Sequence, residues 1–361
     1  MAGKIMVGQV IRRQSDRSLS HFSFFQSSRE RSFPLDQKYI SYYAYARAAL
    51  LDGIFALGLK SGDEVLIPEY ICNAAVAPFH RAGIKIIFYE VKSNLAPDWE
   101  DVSRRLTDRT RALLIVNYFG FPNDLDGARY FCDQNHLFLI EDNAHGFLSA
   151  QGERPLGSWG DISVFAFHKM IHIPGGAALL MNIDAPLNQK ASLKKEPLSV
   201  IRFFLKNILQ RLPGTRDREL DAEGIIQKIR PSAVDVAEED HLEKYLLAIS
   251  SWSRYVLDHL CAEKVKAARR KNYQEWMNYF KRESRPGIRV LFNFLPEGIC
   301  PYVFAVYAND REAFMREMAS KGVETFAWPY LPRNSKEQDL SRHVVCLPVH
   351  QGAVINEQRL A

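Results

Sequence analysis

The pattern of apolar and polar positions changes near Tyr42. Residues 1–35 are basic, serine-rich and without a hydrophobic period, which is typical of a loosely ordered arm. After this arm, short apolar runs alternate with segments whose apolar residues follow helical spacing. The predicted strands are EVLIP, IKIIFYEV, ALLIVNYFG, LFLIED, DISVFAF and AALLMN, and the predicted helices lie in YARAALLDGIFALGL, NAAVAPFHRAG, DWEDVSRRL and DLDGARYFCDQN.

The connections between these elements predict the fold class. The first four strands are separated by crossovers of about 10–20 residues, which is long enough for a helix to connect parallel strands. We therefore expect an α/β fold in which helices cover both faces of a mostly parallel mixed sheet. Residues 36–260 are predicted to form this large domain, with an irregular insert over 183–240. Residues 241–281 predict a long helical stretch, and residues 261–361 are predicted to form a small α+β C-terminal domain.

Composition and charge exclude several classes of protein. The chain is 47% hydrophobic and 25% charged, as in globular proteins, and not as in disordered, collagen-like or coiled-coil chains. Its net charge of +5 is too small to indicate nucleic-acid binding. Five widely spaced cysteines indicate a reducing compartment rather than a disulfide framework or a zinc ribbon. With no signal peptide and no apolar run of about 18 residues, the expected location is cytoplasmic.

Residues 197–214 predict an amphipathic helix, because apolar residues recur there at helical spacing while the basic residues lie off that stripe. We expect this helix to pack against protein. The alternative is a helix that lies on a membrane surface, where the ring of Phe203 would widen the apolar face. Because most amphipathic helices are half-buried against protein, we do not favour membrane association.

Two strand ends carry groups with candidate chemistry. Asp142 ends the strand LFLIED and His145 follows it closely, while Lys169 comes just after DISVFAF. Ligands of open parallel sheets bind outside the carboxyl ends of the strands. There a carboxylate can pair with a cation, and a desolvated lysine can form a Schiff base. The alternatives are a structural ion pair for Asp142 and a surface lysine for Lys169.

His168 and His172 have the spacing of two metal ligands on a helix. The residues before them predict a strand, Pro174 follows at once, and no glutamate completes the pattern. We therefore predict no metal site. The chain also carries no Walker loop, no GxGxxG and no GxSxG motif.

Taken in order, the segments YARAAL, GLKSGDEVLIPEY, RAGIKIIFYEV, LIEDNAHG, GDISVFAFHK, GGAALLMN, ARRKNY and CLPVHQ resemble the DegT–StrS family of sugar aminotransferases. These are pyridoxal-phosphate (PLP) enzymes with the aspartate aminotransferase fold. The resemblance runs over most of the chain. LIEDNAHG followed by GDISVFAFHK is its specific part, because a carboxylate and a lysine recur there in the family's order.

The resemblance implies a role for particular residues. Asp142 would pair with the pyridine N1–H and Lys169 would form the internal aldimine, so both would be catalytic. The cofactor would be bound by Ala46, Arg47, Cys72, Asp142, His145, His168 and Lys169. Of these, Ala46 and Arg47 lie where a helix N-terminus would hold the phosphate. Asn117 and Tyr118 are candidates for lining the substrate pocket, and a strand-end amide and a core tyrosine are the alternative roles for them.

The chain also departs from the family's pattern. Tyr45 and Ala46 replace a Ser-Gly pair, Ala166 replaces a serine, and Cys72 stands where an aromatic residue usually stacks on the cofactor ring. Ala177 replaces a glycine of the GEGG turn. Lys169 follows His168 directly, whereas the family spaces its lysine three residues after that histidine. Arg269 and Arg270 in ARRKNY match the family, although a solvated basic helix face is the alternative.

The activity implied by the resemblance is transamination by a homodimer with a shared active site. An amino donor, by resemblance glutamate, would give its amino group to the cofactor, which then aminates a keto group of a nucleotide-linked sugar for polysaccharide biosynthesis. Two alternatives stay open. One is a related PLP activity such as sugar dehydration, although the family's dehydratases carry histidine in place of the lysine. The other is a degenerate, non-catalytic member that acts as a binding partner.

Overall fold

The protein is described from a computed structural model, which covers residues 31–183, 193–195, 200, 201, 203, 205, 245–284, 286–328 and 339–355. The helices of eight or more residues are α1 (Ala46–Ala56), α2 (Asn73–Arg81), α4 (Leu125–Gln134), α5 (Ser251–Asp258), α6 (Ala262–Arg282) and α7 (Arg311–Ser320). Two shorter helices are α3 (Trp99–Arg104) and α8 (Asp339–His343).

Seven strands form the larger sheet: β1 (Ile40–Tyr43), β2 (Glu64–Pro68), β3 (Lys85–Tyr89), β4 (Thr110–Val116), β5 (Phe138–Asn143), β8 (Ile162–Phe165) and β9 (Ala177–Met181). Their order is β1-β9-β8-β5-β4-β2-β3. Neighbouring strands from β8 to β3 are parallel, and β9 pairs antiparallel with both β8 and β1. The predicted α/β class with a mostly parallel mixed sheet is therefore confirmed.

Helix α1 lies very close to this sheet. A Cβ atom added to Gly53 would come within 2.6 Å of Cδ1 of Ile162 and 3.0 Å of Cδ1 of Leu179, so this position has no room for a side chain. The two strands under the helix, β8 and β9, are buried at every position and apolar except at Ser163, because this part of the sheet is covered on both faces. This close packing fixes the N-terminus of α1 relative to the strand ends.

The smaller sheet is antiparallel and has the order β10-β11-β13-β12. Its strands are β10 (Ile288–Val290), β11 (Val303–Ala308), β12 (Phe326–Ala327) and β13 (Val344–Pro348), and a separate two-stranded ribbon pairs β6 (Ala150–Gln151) with β7 (Arg154–Pro155). One buried apolar cluster includes residues of α1 and of both larger sheets, with Trp276 of α6 among them. The predicted domain boundary near residue 260 stays a prediction.

Two elements differ from the sequence prediction. Strand β1 was not predicted, because its four half-polar residues have too short a pattern to distinguish them from the arm. The helical stretch predicted over 241–281 is interrupted, since residues 246–249 are coil or form isolated β-bridges and α5 ends before α6 begins. Ser250 caps α5 by accepting a hydrogen bond from the Ser253 N–H, and an apolar period cannot show such a cap.

Most of the arm over 1–35 and of the helix predicted over 197–214 lies outside the described residues. Within the latter, Val200, Ile201, Phe203 and Leu205 are helical, and the ring of Phe203 lies 4.7 Å from that of His172. Across the described part of the chain, no helix combines the length and apolar composition that crossing a membrane requires.

Candidate active site

A cleft lies at the carboxyl ends of the parallel strands, beside the N-terminus of α1. It encloses about 610 Å³, part of it open to solvent. Six of the predicted cofactor-site residues line it: Ala46, Arg47, Cys72, Asp142, His168 and Lys169. The structure thus brings together residues from β5, from the turn after β8 and from the starts of α1 and α2.

Asp142 presents its carboxylate to this cleft from the end of β5. Its Oδ1 accepts a 2.9 Å hydrogen bond from the Ala144 N–H. Burial raises the pKa of this carboxyl, and a positive charge on Lys169 would oppose the rise. A desolvated carboxylate in a cleft is stabilised by a cation that binds beside it.

Lys169 ends a single 3₁₀ turn, Phe167–Lys169, which directly follows β8. Although the loop is shorter than the resemblance implies, the side chain still reaches the cleft. Its Nζ lies 3.1 Å from Nε2 of His145. His145 does not itself line the cleft, so it contacts the site through Lys169.

Arg47 brings a positive charge to the other side of the cleft, in the first turn of α1. Its guanidinium stacks on the ring of Tyr245 at 3.7 Å, and none of the described carboxylates forms an ion pair with it. Tyr45 precedes the helix without a capping hydrogen bond from its side chain, and the first N–H groups of a helix have no partner within it. Arg47 and these N–H groups together favour an anion.

His168 lines the same cleft, with its ring centroid 6.1 Å from that of Tyr45. Its Nδ1 is 3.1 Å from the carbonyl oxygen of Gly176, and burial lowers its pKa to about 4. The imidazole is therefore neutral near pH 7. Cys72 lines the cleft from the residue before α2, and Ala46 and Ala166 contribute no hydroxyl groups to it.

Asn117 and Tyr118 are not brought to the cleft. The Asn117 amide donates to Asn143 Oδ1 at 2.7 Å and to Glu141 Oε2 at 3.2 Å, and the Tyr118 hydroxyl donates to the Tyr70 carbonyl. Glu141 also accepts backbone N–H bonds from Gly157, Trp159 and Gly160. These contacts fit the alternative roles, a satisfied strand-end amide and a core tyrosine.

Sequence reasoning did not find the role of Arg269. The solvated helix face considered as an alternative is wrong for this residue, whose side chain is 1% exposed. Its guanidinium donates to the carbonyls of Pro301 and Tyr302 and to that of Met170, the residue after Lys169. The motif ARRKNY marked the position, but a helical period alone predicts an exposed arginine there.

Comparison with known proteins shows which curated proteins have similar sequences. The chain is 30% identical over 165 residues to a GDP-perosamine synthase of Vibrio cholerae, an alignment that covers 45% of each protein. It is 29% identical over 159 residues to a dTDP-4-dehydro-2,3,6-trideoxy-D-glucose 4-aminotransferase of Saccharopolyspora spinosa, covering 44% of this chain and 41% of that protein. The chain thus matches less than half the length of each of these curated relatives.

The fold likeness extends further along the chain. The solved structure of an aminotransferase, TlmJ, from Streptoalloteichus hindustanus covers 98% of this chain and 96% of its own, with a TM-score of 0.64 and 18% identity. Residues 38–194, which contribute every residue that lines the cleft, match the description "DegT/DnrJ/EryC1/StrS aminotransferase family". The resemblance drawn from the sequence is confirmed over residues 38–194, which are similar to this aminotransferase family.

Proposed function

We propose that this protein is a PLP-dependent aminotransferase that transfers an amino group, from glutamate as the resemblance implies, to a keto group of a nucleotide-linked sugar. The observation that carries the proposal is that Lys169 and Asp142 line one cleft at the ends of neighbouring strands. The family and the names of the relatives support the same substrate class. A Bacillus subtilis structure with this fold contains bound cofactor PMP (TM-score 0.60, 14% identity), covering 90% of this chain and 72% of that one.

The residues present fit the cofactor. PLP has a ring nitrogen that binds a proton, an aldehyde and a phosphate, and the cleft offers one group for each. The half-buried carboxylate of Asp142 suits a protonated ring nitrogen, the Lys169 amine suits the aldehyde, and Arg47 with the start of α1 suits the phosphate. The missing hydroxyl groups at Ala46 and Ala166 leave the phosphate more dependent on Arg47.

The chain's own residues then perform distinct tasks. When bound, PLP supplies an electron sink for reactions at the carbon that carries the amino group. Asp142 holds a proton on the ring nitrogen, and Lys169 binds the aldehyde carbon through Nζ. Once the amino donor has displaced Nζ, this amine moves a proton between Cα of the donor and the aldehyde carbon. Arg47 orients the phosphate end.

The test is reduction of the loaded protein with borohydride. We expect a visible absorption band that disappears on reduction, and a mass increase on the peptide that contains Lys169. Lys169→Ala should abolish both the modification and the transamination of an amino sugar nucleotide, and the control Lys60→Ala, at an exposed position, should abolish neither. Normal turnover by Lys169→Ala would refute the assignment.

The alternatives make different predictions in the same experiment. A degenerate binding partner would give no reducible band, and a sugar dehydratase would release no aminated sugar. The lysine in the cleft favours transamination, because the family's dehydratases replace that residue with histidine. A homodimer with a shared active site and a cytoplasmic location stay predictions of the sequence. Light scattering of the purified chain would test the dimer.

A further inference from the structure

The imidazole of His145 is held rigidly beside the cleft lysine. Its side chain is buried, and its ring is stacked between two others, with centroids 4.6 Å from Tyr302 and 5.8 Å from Phe119. The ring therefore cannot rotate freely, and each of its nitrogens has a fixed neighbour. Nε2 lies 3.1 Å from Lys169 Nζ, and Nδ1 accepts a 3.3 Å hydrogen bond from the Phe119 N–H.

The Phe119 N–H is fixed by an unusual backbone conformation. Phe119 has φ 57° and ψ 16°, in the left-handed region that non-glycine residues rarely adopt. Gly120 follows at φ 93°, and a Cβ there would lie 2.7 Å from the Cys300 carbonyl oxygen. The Phe119 carbonyl accepts a 2.8 Å hydrogen bond from the Tyr302 N–H. The surrounding chain thus directs this N–H at His145 Nδ1.

These contacts determine which nitrogen carries the proton. Because Nδ1 accepts a hydrogen bond from Phe119, a neutral imidazole must carry its proton on Nε2. Burial lowers the pKa of His145 well below its ordinary value, which keeps the ring neutral. Nε2–H then donates toward Lys169, and Nζ can accept only through the lone pair of an uncharged amine.

We propose that His145 is a positioning residue that holds the Lys169 amine in its uncharged, nucleophilic form. A charged ammonium could contact Nε2 only as a donor. The imidazole proton would then have to move to Nδ1, where it would face the Phe119 N–H. The strained backbone of Phe119 thus acts on Lys169 through the tautomer of one histidine.

The charged groups around Lys169 act in opposite directions. The carboxylate of Asp142 on β5 favours the ammonium form, whereas Arg47 on α1 disfavours a second cation in the cleft. His168, on the same turn as Lys169, is kept neutral by burial, which lowers its pKa to about 4. Removing the hydrogen bond from His145 therefore shifts the balance toward Asp142 and the ammonium.

This inference deepens the proposed function, since an uncharged Lys169 is what binding of an aldehyde requires. Its test needs neither cofactor nor turnover. The full-length protein, dialysed against hydroxylamine to remove bound carbonyl compounds, is treated at pH 7 with formaldehyde and cyanoborohydride. The amine nitrogen attacks the aldehyde carbon, water leaves, and the hydride reduces the imine to a methylamine. Peptide mass spectrometry gives the rate at Lys169 relative to exposed Lys60 of the same molecule.

Two amide variants separate the two nitrogens of the ring. His145→Gln can place an amide donor near the position of Nε2, whereas His145→Asn can replace only the acceptor at Nδ1. We expect the relative rate at Lys169 in His145→Gln to stay within about twofold of wild type, and in His145→Asn to fall about fivefold or more. Circular dichroism and the thermal midpoint establish that both variants are folded.

Two outcomes would overturn the inference. An unchanged rate in His145→Asn would mean that His145 only fills space between Phe119 and Tyr302. An equal loss in both variants would mean that the aromatic ring matters and the Nε2 donor does not. If the labelling behaves as expected but the protein shows no reducible band with PLP, the proposed function fails while this inference stands.

Discussion

Arg269 donates a 2.8 Å hydrogen bond to the carbonyl oxygen of Met170, the residue that follows the cleft lysine. The same carbonyl accepts a 3.2 Å bond from the Gln351 amide, which also accepts from Arg269 Nε. Burial lowers the pKa of this guanidinium. The turn that carries Lys169 is thus held by residues that come much later in the chain.

Arg269→Met should lower the free energy of unfolding by about 2–4 kcal/mol, because the carbonyls of Pro301 and Tyr302 lose a buried donor. Urea denaturation measures this change. Lys271→Met, at an exposed position of the same helix, is the matched control and should change stability by less than about 0.5 kcal/mol. Equal effects of the two substitutions would show that Arg269 contributes no more than an exposed charge.

The sequence predicted the part of the site that local patterns encode. Asp142 and Lys169 each follow an apolar strand, and parallel strands bring their carboxyl ends to one edge, so the meeting of these residues follows from topology. The stacking of His145 on Tyr302 and the burial of Arg269 depend on the smaller sheet's position against the larger one. Such contacts between distant segments leave no period in the sequence.

Asp142→Asn tests the role of the carboxylate apart from cofactor binding. The neutral amide can keep the hydrogen bond from Ala144 but cannot hold the ring nitrogen protonated. We expect PLP still to bind and kcat to fall at least about 100-fold. The exposed substitution Asp108→Asn serves as control. A wild-type rate in Asp142→Asn would mean that Asp142 is only a partner in a structural ion pair.

Arg47→Met tests how the cleft recognises a phosphate. Because Ala46 and Ala166 offer no hydroxyl groups, we expect the guanidinium to supply a side-chain contact to the phosphate. Wild-type protein should bind PLP more tightly than unphosphorylated pyridoxal, and Arg47→Met should reduce this preference about tenfold or more. Absorption titrations with both aldehydes measure it, and Arg81→Met on the exposed end of α2 should keep it. An undiminished preference would place the phosphate elsewhere.

The lowered pKa of His168 predicts how the stability of the protein changes in acid. Its pKa is about 4 in the folded protein, below its ordinary value of 6.5. Between pH 6.5 and pH 4, unfolding is therefore accompanied by proton uptake at His168. The stability that neutral His168 contributes is fully present above pH 6.5 and is lost as the pH falls toward 4. The slope from this residue approaches about 1.4 kcal/mol per pH unit.

His168→Asn removes this titration while an amide donor near the position of Nδ1 can still reach the Gly176 carbonyl. Urea denaturation between pH 7 and pH 4.5 should therefore show the wild type losing on the order of 2 kcal/mol more than the variant. His80→Asn is the control, because that side chain is exposed at the end of α2 and should leave the wild-type profile intact. Parallel profiles for wild type and His168→Asn would mean that His168 binds a proton in the cleft as readily as in the unfolded chain.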